Sequence, residues 1–304
     1  MKKLLTIFSI LLLSNCAHYV IKAKPSKTLL IAHKGSWRDG TFPANSIKAF
    51  DEALREGFDG FELDVILTSD NQFIVMHDEK LKHSTNCKGN VGDVKAKDLD
   101  KCALKKNIIL PVSTLVIKKT KNRDQIATLK EVFEKYLPQE NLKKIVVDVK
   151  PIDDQKIVQA LRQALSPEMH KQYGQKLIFI GKSAEITQEI KRNFPKSFTA
   201  LEGAWGSEPV VDYKKYLDHT THDFVSLNAE LMFGHLKSKQ YFSNIENKNR
   251  KYLDHYLAAA KAANMPTIAW TINSKKNYQY LLSKEVEVIL TDRSLQITDN
   301  STAK

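Results

Sequence analysis

The chain is poor in features that mark several common protein classes. Its 304 residues include three cysteines, and their spacing lacks the partner cysteines or histidines of a zinc pattern. The sequence has no helix-turn-helix or zinc-finger spacing, so we expect no nucleic-acid partner. It also has no internal repeat and no second folded domain. One short apolar run near the N-terminus is too short for a stable membrane-spanning helix.

Acidic residues are in deficit. The chain has 35 Asp and Glu against 47 Lys and Arg, which gives a formal charge of +12 at pH 7. Lys-rich segments such as residues 118–121 spread this excess along the chain. A basic surface favours anionic partners such as phosphate esters and phospholipid headgroups. With 42% hydrophobic residues, the length suits one large domain, as is common for α/β barrels.

The N-terminus has the pattern of a bacterial export signal. Residues 1–15 contain two lysines, a short apolar run and small polar residues before Cys16. The sequence LSNC resembles a lipobox in which Cys16 is lipidated, with residues 16–27 as a tether. Asn15 departs from that pattern, so ordinary signal cleavage to a soluble periplasmic protein is the alternative. Ala17 in second place predicts a lipoprotein of the outer membrane, held at the membrane by its lipid anchor.

The other two cysteines form a lone pair. With Cys16 assigned to processing, Cys87 and Cys102 remain. Disulfides persist in exported proteins, so we predict that these two residues are bonded. Two separate thiols are the alternative reading.

Nine short runs have the pattern of strands. They are residues 29–33, 60–65, 73–77, 144–149, 177–181, 198–202, 224–228, 267–271 and 287–291. Only the turn-like residues 69–71 separate the third run from the second, which permits an antiparallel hairpin but no parallel crossover. Such a hairpin would carry His77 back over the end of the second strand.

The remaining eight runs alternate with helix-like segments. Asn45 or Ser46 can cap the first helix, and further helices are predicted over residues 127–136, 155–165, 184–193, 252–263 and 275–282. This alternation predicts an α/β fold, a (β/α)₈ TIM barrel over residues 28–296 with its site at the carboxyl ends of the strands. Residues 79–124 would form a small insertion near the entrance, and residues 297–304 a tail.

Carboxylates and lysines alternate with apolar residues in two of these strands. In the run FELDV, a strand period of two places Glu62 and Asp64 on one face and the three apolar residues on the other. Two such acids repel each other unless a cation or a proton lies between them, which indicates an oxygen-rich metal site. The run IVVDVK places Asp148 and Lys150 on one strand face in the same way.

Several short motifs follow one another in a fixed order along the chain. HKG at residues 33–35, PANS, FELDVILTSD and VMHDEKL are followed by DVK, WTIN and TD. Similar motifs stand in the same order in the glycerophosphodiester phosphodiesterase family, which the chain resembles from residue 29 to residue 292. The resemblance implies a metal-dependent enzyme that hydrolyses glycerophosphodiesters to sn-glycerol 3-phosphate and an alcohol.

The resemblance also implies roles for individual residues. It assigns acid and base catalysis to His33 and His77, without saying which does which. A divalent cation, Ca²⁺ or Mg²⁺, would be held by Glu62, Asp64 and Asp148, and the substrate-binding residues would be Lys34, Asn45, Lys150 and Trp270. Lys34 stands where the family usually has arginine, and Ala44 and Asp148 stand where it usually has glutamate. We interpret Asp292 first as a loop cap and second as a site residue, and Glu202 as a strand-end residue that could face the mouth of the barrel.

Other functions fit the same residues. A phospholipase D-like enzyme acting on lysophospholipid or sphingomyelin would share the placement of the histidines and acids. A non-catalytic binding lipoprotein could keep the barrel, because a fold does not fix a function. A glycosidase could use Glu62 and Asp148 as its acid and base, and would then need no metal. Nothing in the sequence indicates an obligate protein partner.

Overall fold

The structure of the chain is a computed structural model. It describes residues 28–38, 41–106, 124–150, 154–202, 217–229, 233 and 243–293. Cys16, the predicted export signal, the tether and the tail lie outside the described residues, as do residues 107–123 of the predicted insertion. Among the helices that are described, none is both long enough and apolar enough to cross a membrane.

A closed barrel of parallel strands forms the centre of the molecule. The strands in chain order are β1 Leu29–Ala32, β2 Gly60–Leu67, β3 Phe73–Val75, β4 Lys144–Val149, β5 Leu177–Gly181, β6 Phe198–Glu202, β7 Phe224–Asn228, β8 Thr267–Trp270 and β9 Val288–Thr291. In the described part of the chain, eight strands pair in parallel, and β1 closes the barrel by pairing with both β2 and β9. The predicted (β/α)₈ barrel is confirmed.

Strand β3 is the exception to the parallel order. It pairs antiparallel with the last residues of β2, so that Val65 lies opposite Val75 and Leu67 opposite Phe73. The predicted hairpin is therefore confirmed, and β2 extends past the barrel rim to form it. The backbone N–H of Met76 donates to the carbonyl of Asp64 at 3.0 Å, which directs the following residue, His77, toward the mouth of the barrel.

Helices surround the barrel. They are α1 Ile47–Arg55, α2 Leu81–Ser84, α3 Leu129–Tyr136, α4 Asp154–Ala164, α5 Pro167–Tyr173, α6 Ala184–Asn193, α7 Ser243–Ala262 and α8 Lys275–Ser283. The side chain of Ser46 caps α1 by accepting from the N–H of Ala49. Each predicted helix is present, although α7 begins earlier than expected. The unpredicted α5 has no fully buried residue, and only Met169 and Tyr173 pack against the core, so its apolar stripe is too short to be recognised in the sequence.

Alternation along each strand divides the core into two parts. One face packs against the helices, as Phe61, Leu63 and Val65 do. The other face fills the barrel interior, and its apolar members are Ile31, Val146, Ile178, Ile180, Ala200, Ile268, Val288 and Leu290. Glu62 lies in register with Val146, and Asp64 with Asp148, so these carboxylates share the interior face. Charge therefore enters the barrel at the carboxyl ends of β2 and β4.

The part of the insertion that is described packs on the β2–β3 hairpin. Ile66, Ile74 and Met76 form a third cluster with insertion residues that include Leu81 and Val91. A disulfide joins Cys87 to Cys102, with 5.5 Å between the Cα atoms. The predicted pairing of these cysteines is thus present, and it fastens the segment that follows His77.

Candidate active site

One cavity at the carboxyl ends of the strands collects nearly all of the predicted site residues. Its lining consists of His33, Lys34, Glu62, Asp64, His77, Asp148, Lys150, Ile180, Lys182, Glu202, Trp270 and Leu290. Of the predicted catalytic, metal and substrate-binding residues, Asn45 alone is outside this lining. Two further residues line the cavity: Glu202, which we expected at a strand end facing the mouth of the barrel, and Lys182, for which the sequence indicated no role.

Three carboxylates meet in this cavity with the spacing of a cation site. Glu62, Asp64 and Asp148 each offer one oxygen, and these oxygens lie within 4.8 Å of one another. Oxygens that share a Ca²⁺ or Mg²⁺ ion at bond lengths of about 2.1–2.6 Å can lie up to about 5 Å apart. Oδ1 of Asp148 is also buried without a hydrogen-bond partner among the described residues. The donor set and its spacing therefore fit a hard divalent cation.

The charges of this cluster are unequally stabilised. Burial and the neighbouring charge of Asp64 raise the pKa of Glu62 to about 7. Burial acts in the same direction on Asp64, but Lys34 and Lys150 outweigh it and hold the pKa of Asp64 well below its usual range. Nζ of Lys150 lies 2.7 Å from both Asp64 Oδ1 and Asp148 Oδ2. The cluster thus depends on cationic neighbours for its stability.

The HKG turn positions Glu62 through its backbone. Lys34 and Gly35 both have left-handed backbone conformations, with φ of 62° and 77°. A Cβ on Gly35 would lie 2.7 Å from the backbone carbon of Ala49, so only glycine fits against α1 here. The turn directs the N–H of Lys34 to Oε2 of Glu62 at 2.9 Å. Nζ of Lys34 lies 3.6 Å from Oδ2 of Asp64, inside the cavity.

Asn45 supports Asp64 from outside the cavity. Its Nδ2 donates to Oδ2 of Asp64 at 2.9 Å, and its Oδ1 accepts from the N–H of Asp64 at 3.1 Å. The residue is buried, and its φ of 60° belongs to a turn. The structure thus shows that Asn45 orients a carboxylate, and its contact with substrate stays a prediction.

His33 is held by Asp292. Its Nδ1 lies 2.6 Å from Oδ1 of Asp292, whose Oδ2 also accepts from Asn273 Nδ2 at 2.8 Å. Burial lowers the pKa of His33, but Glu62 and Asp292 outweigh it, so the pKa is raised above the usual 6.5. Because Nδ1 is bonded to a carboxylate, Nε2 is the nitrogen that faces the cavity, 3.9 Å from Glu62 Oε2.

Asp292 is therefore more than the loop cap that we predicted first. The capping bond runs the other way, since its backbone N–H donates to Oδ1 of Asn273 at 3.0 Å. Its side chain also accepts from Arg38 at 3.3 Å. The sequence carried a signal for this arrangement, because Asn273 and Asp292 belong to the WTIN and TD motifs.

His77 reaches the cavity from the hairpin. Its side chain is 48% exposed, and its Nδ1 lies 3.3 Å from Oδ1 of Asp78. Asp78 in turn accepts from the hydroxyl of Ser84 in α2. His77 is thus the more solvent-exposed of the two histidines. On the other side, Trp270 donates from Nε1 to Oγ of Ser226 at 2.9 Å while lining the cavity.

Lys182 is a site residue that the sequence did not predict, whereas Glu202 was predicted only as a strand-end residue that could face the mouth of the barrel. Lys182 follows the last residue of β5, and Glu202 ends β6. Nζ of Lys182 forms an ion pair with Oε2 of Glu202 and lies 3.6 Å from Oδ1 of Asp148. A single lysine after a strand looks like any solvated surface lysine in a sequence, so no motif indicated this pair.

Comparison with known proteins gives a consistent result. The model of the glycerophosphoryl diester phosphodiesterase family matches residues 33–296. A glycerophosphodiester phosphodiesterase of Bacillus altitudinis is 47% identical over 72 residues, which are 24% of this chain and 29% of that protein. A lysophospholipase D of Homo sapiens is 36% identical over 107 residues, 35% of this chain and 32% of that protein. The matches thus span about a third or less of these relatives.

One solved structure extends the comparison to the fold. It is that of a phosphodiesterase from Oleispira antarctica in complex with the product sn-glycerol 3-phosphate. The two chains are 18% identical, with a TM-score of 0.65, and the alignment covers 89% of this chain and 95% of the other. At this identity, the likeness shows a shared barrel.

Proposed function

Because the chain belongs to the glycerophosphoryl diester phosphodiesterase family, a family of phosphoric diester hydrolases, we propose that it hydrolyses glycerophosphodiesters to sn-glycerol 3-phosphate and an alcohol. The observation that carries the proposal is the meeting of two histidines, three carboxylates and several lysines around one open cavity. The name of the Bacillus altitudinis relative and the product bound to the Oleispira antarctica phosphodiesterase support the same chemistry.

A divalent cation would be held by Glu62, Asp64 and Asp148. Their oxygens have the spacing that such an ion needs, and carboxylates are the ligands that Ca²⁺ and Mg²⁺ prefer. When bound, the ion supplies positive charge against the phosphate oxygens. Asn45 and the N–H of Lys34 hold two of the carboxylates in place. The ammonium groups of Lys34 and Lys150 both lie beside Asp64 and would face the phosphate.

The two histidines would exchange protons with the reacting groups. Asp292 fixes the Nδ1 proton of His33, so Nε2 is free to accept a proton from the attacking group, either water or the neighbouring glycerol hydroxyl. Attack by the glycerol hydroxyl would release the alcohol and leave a cyclic phosphate, which water then opens to give sn-glycerol 3-phosphate. His77, which is half exposed, would protonate the departing alcohol where that product can leave the cavity. Trp270 would pack against the substrate beside the phosphate.

The proposal is tested with purified protein and glycerophosphoethanolamine. Release of sn-glycerol 3-phosphate is followed by a coupled assay with Mg²⁺, with Ca²⁺ and with a chelator. We expect release with at least one ion, loss on chelation, and a large loss in His33→Ala and Glu62→Gln. Lys191→Met is the matched control, because Lys191 pairs with Asp223 at the opposite end of the barrel. No release with any ion would refute the proposal and favour a binding protein or a glycosidase, since this substrate has no glycosidic bond. Release that survives chelation would show that the phosphodiester hydrolysis needs no metal ion.

A second candidate activity is that of a lysophospholipase D. The similarity to the human lysophospholipase D over 107 residues favours it. The bond that is cleaved is equivalent, and the two substrates differ by an acyl chain. The value of kcat/KM for glycerophosphoethanolamine, compared with that for lysophosphatidylethanolamine, separates these activities. A higher value for the acylated substrate would replace our first proposal with the second.

We also propose that the protein is an exported lipoprotein anchored through Cys16. The support is the sequence of residues 1–15 and the LSNC motif, together with a disulfide that would persist outside the reducing cytosol. Metabolic labelling with palmitate should mark the wild type and not Cys16→Ser, and the wild type should fractionate with membranes. An unlabelled wild type in the soluble periplasmic fraction would point to ordinary signal cleavage.

A further inference from the structure

The pair formed by Lys182 and Glu202 has no role in the function proposed above. The side chain of Glu202 is only 3% exposed, and its Oε1 has no hydrogen-bond partner among the described residues. The side chain of Lys182 is 25% exposed and lines the cavity. A buried carboxylate thus fixes a lysine whose ammonium group remains beside the open space.

The lining lysines differ in what anchors them. Lys34 and Lys150 form ion pairs with Asp64, one of the carboxylates that would hold the cation. Lys182 is anchored by Glu202 instead, and approaches Asp148 only at 3.6 Å. Its position is therefore set by a residue outside the proposed cation site. An ammonium group that has its own anchor can contact a second anion without leaving that anchor.

The neighbouring backbone also restrains Lys182. A Cβ on the preceding Gly181 would lie 2.7 Å from the Cγ2 of Thr187 in α6, so the chain passes close to this helix. Ser183 then caps α6 by accepting from the N–H of Ile186. Lys182 stands between these two constraints, where a tightly packed turn limits the directions in which its side chain can leave the backbone.

We propose that Lys182 is a further phosphate-binding residue of this cavity, and that Glu202 is the positioning residue that holds it. The inference rests on the proposed function, since it supplies a contact for the phosphate of the same substrates. The ligand class is a phosphate mono- or diester. A monoester such as sn-glycerol 3-phosphate carries more negative charge near pH 7 than the diester does. Lys182 should therefore contribute more to the affinity for this product than to the affinity for the diester. The competing interpretation is that Lys182 is only the counter-ion of a buried carboxylate.

Binding measurements separate these interpretations without relying on turnover. The probes are inorganic phosphate and sn-glycerol 3-phosphate, titrated calorimetrically in the presence of Mg²⁺. We expect Lys182→Met to weaken binding of both by about tenfold or more, the range expected for a lost charge-assisted hydrogen bond. Lys182→Arg should retain most of the affinity, and Glu202→Gln should lose less than Lys182→Met. Lys191→Met is the control and should bind as the wild type does.

The double variant Lys182→Met/Glu202→Gln decides the question even where the single variant fails to fold. It removes both charges, so no uncompensated carboxylate remains in the barrel. If Lys182 binds phosphate, the folded double variant should bind both phosphate probes about tenfold more weakly than the wild type does. If the double variant binds the probes as tightly as the wild type does, Lys182 is only a counter-ion and the proposal is overturned. Wild-type protein that binds neither probe would overturn it as well.

Turnover distinguishes this inference from the proposed function. Lys182→Met should raise KM for glycerophosphoethanolamine more than it lowers kcat. If the wild type hydrolyses the diester but Lys182→Met binds phosphate as tightly as the wild type does, the phosphate-binding role of Lys182 is overturned and the proposed function stands. Lys182-dependent binding of sn-glycerol 3-phosphate without hydrolysis of any diester would overturn the proposed function and leave the subsite standing.

Discussion

Replacing Asp292 with asparagine should slow the proposed reaction by loosening His33. Asp292 accepts from three donors, on His33, Asn273 and Arg38. The amide nitrogen of an asparagine cannot accept, so at least one of these bonds is lost and no negative charge faces His33. The bond to His33 is 2.6 Å long between side chains that are 19% and 12% exposed, so solvent screens it little. A charge-assisted bond of this kind contributes about 1.5–3 kcal/mol, and we expect kcat/KM to fall about 10- to 100-fold.

The same substitution should lower the pKa of His33. The charge of Asp292 stabilises the imidazolium, and its removal leaves burial to act in the opposite direction. NMR titration of His33 in the chelator-treated protein measures this directly. Asp223→Asn is the control, because Asp223 is likewise an ion-paired aspartate, with Lys191, but lies at the other end of the barrel. An unchanged pKa and an unchanged kcat/KM in Asp292→Asn would refute the role that we assign to this pair.

The pH dependence of stability gives a second check. The pKa of His33 in the folded protein is raised above 6.5. Its contribution to the free energy of unfolding is therefore fully present below pH 6.5 and is lost as the pH rises through the folded-state pKa. Burial raises the pKa of Asp292, but the hydrogen bond from His33 outweighs burial, and the pKa lies below 3.8. The contribution of Asp292 to the free energy of unfolding is therefore present above pH 3.8 and is lost as the pH falls through the folded-state pKa. The difference in free energy of unfolding between metal-free wild type and Asp292→Asn should thus be largest between pH 3.8 and 6.5. Urea denaturation across pH 3–9 tests this window, and a difference that grows toward alkaline pH would contradict it.

Four further outcomes are expected. Asp148→Asn should weaken Mg²⁺ binding by at least about tenfold in calorimetry, because even residues that only support metal ligands commonly contribute that much to affinity. An unchanged affinity would show that Asp148 does not bind the cation. His77→Ala should lose about 10²–10⁴ in kcat for a glycerophosphodiester of an alkyl alcohol but much less for one of 4-nitrophenol, which leaves without a proton; equal losses would remove His77 as the acid. Asn45→Ala should lower the free energy of unfolding by about 1–3 kcal/mol and also weaken Mg²⁺ binding, because the carboxylate and the backbone N–H of Asp64 each lose a hydrogen bond. If stability falls but Mg²⁺ affinity does not change, the role of Asn45 is purely structural. Reduction of the bond between Cys87 and Cys102, which are 15 residues apart, should destabilise the wild type by about 3 kcal/mol in chemical denaturation and leave the Cys87→Ser/Cys102→Ser variant unaffected by reductant.

The barrel was predictable because two local rules determine it. Alternation with period two marks each strand, and helix-length connections between strands require parallel pairing. The one short link, at residues 69–71, identified the hairpin for the complementary reason. Helix α5 shows the limit of these rules, since a seven-residue helix that packs on the core through only two side chains leaves no clear periodic pattern in the sequence.

Site residues on strands were predictable for a related reason. Once the apolar residues of β2 are assigned to the helix-facing layer, Glu62 and Asp64 must point into the barrel. The same alternation assigns Asp148, and the parallel register then brings it beside Asp64. The sequence thus indicated both the chemistry and the meeting of these groups.

Residues whose roles depend on contacts across the barrel were harder to predict. Asn45 reaches Asp64 only because its backbone adopts a left-handed turn, which residue type alone does not specify. Asp292 meets His33 because β9 closes the barrel against β1, a contact between residues 259 positions apart. Lys182 and Glu202 pair because neighbouring strands end at the same height. None of these distances follows from the spacing along the chain.

One departure from the usual family motifs, Lys34, falls where the structure tolerates it. Lys34 replaces an arginine, but the contact that positions Glu62 comes from the backbone N–H and is independent of the side chain. What changes is the phosphate contact, since an ammonium group is a point charge without the paired donors of a guanidinium. In the proposed arrangement, Lys182 supplies a positive charge in addition to those of Lys34 and Lys150, from the Asp148 side of the cation site. We therefore expect Lys34→Arg to reduce the loss caused by Lys182→Met in phosphate titrations; equal losses in both backgrounds would mean that the two lysines act independently.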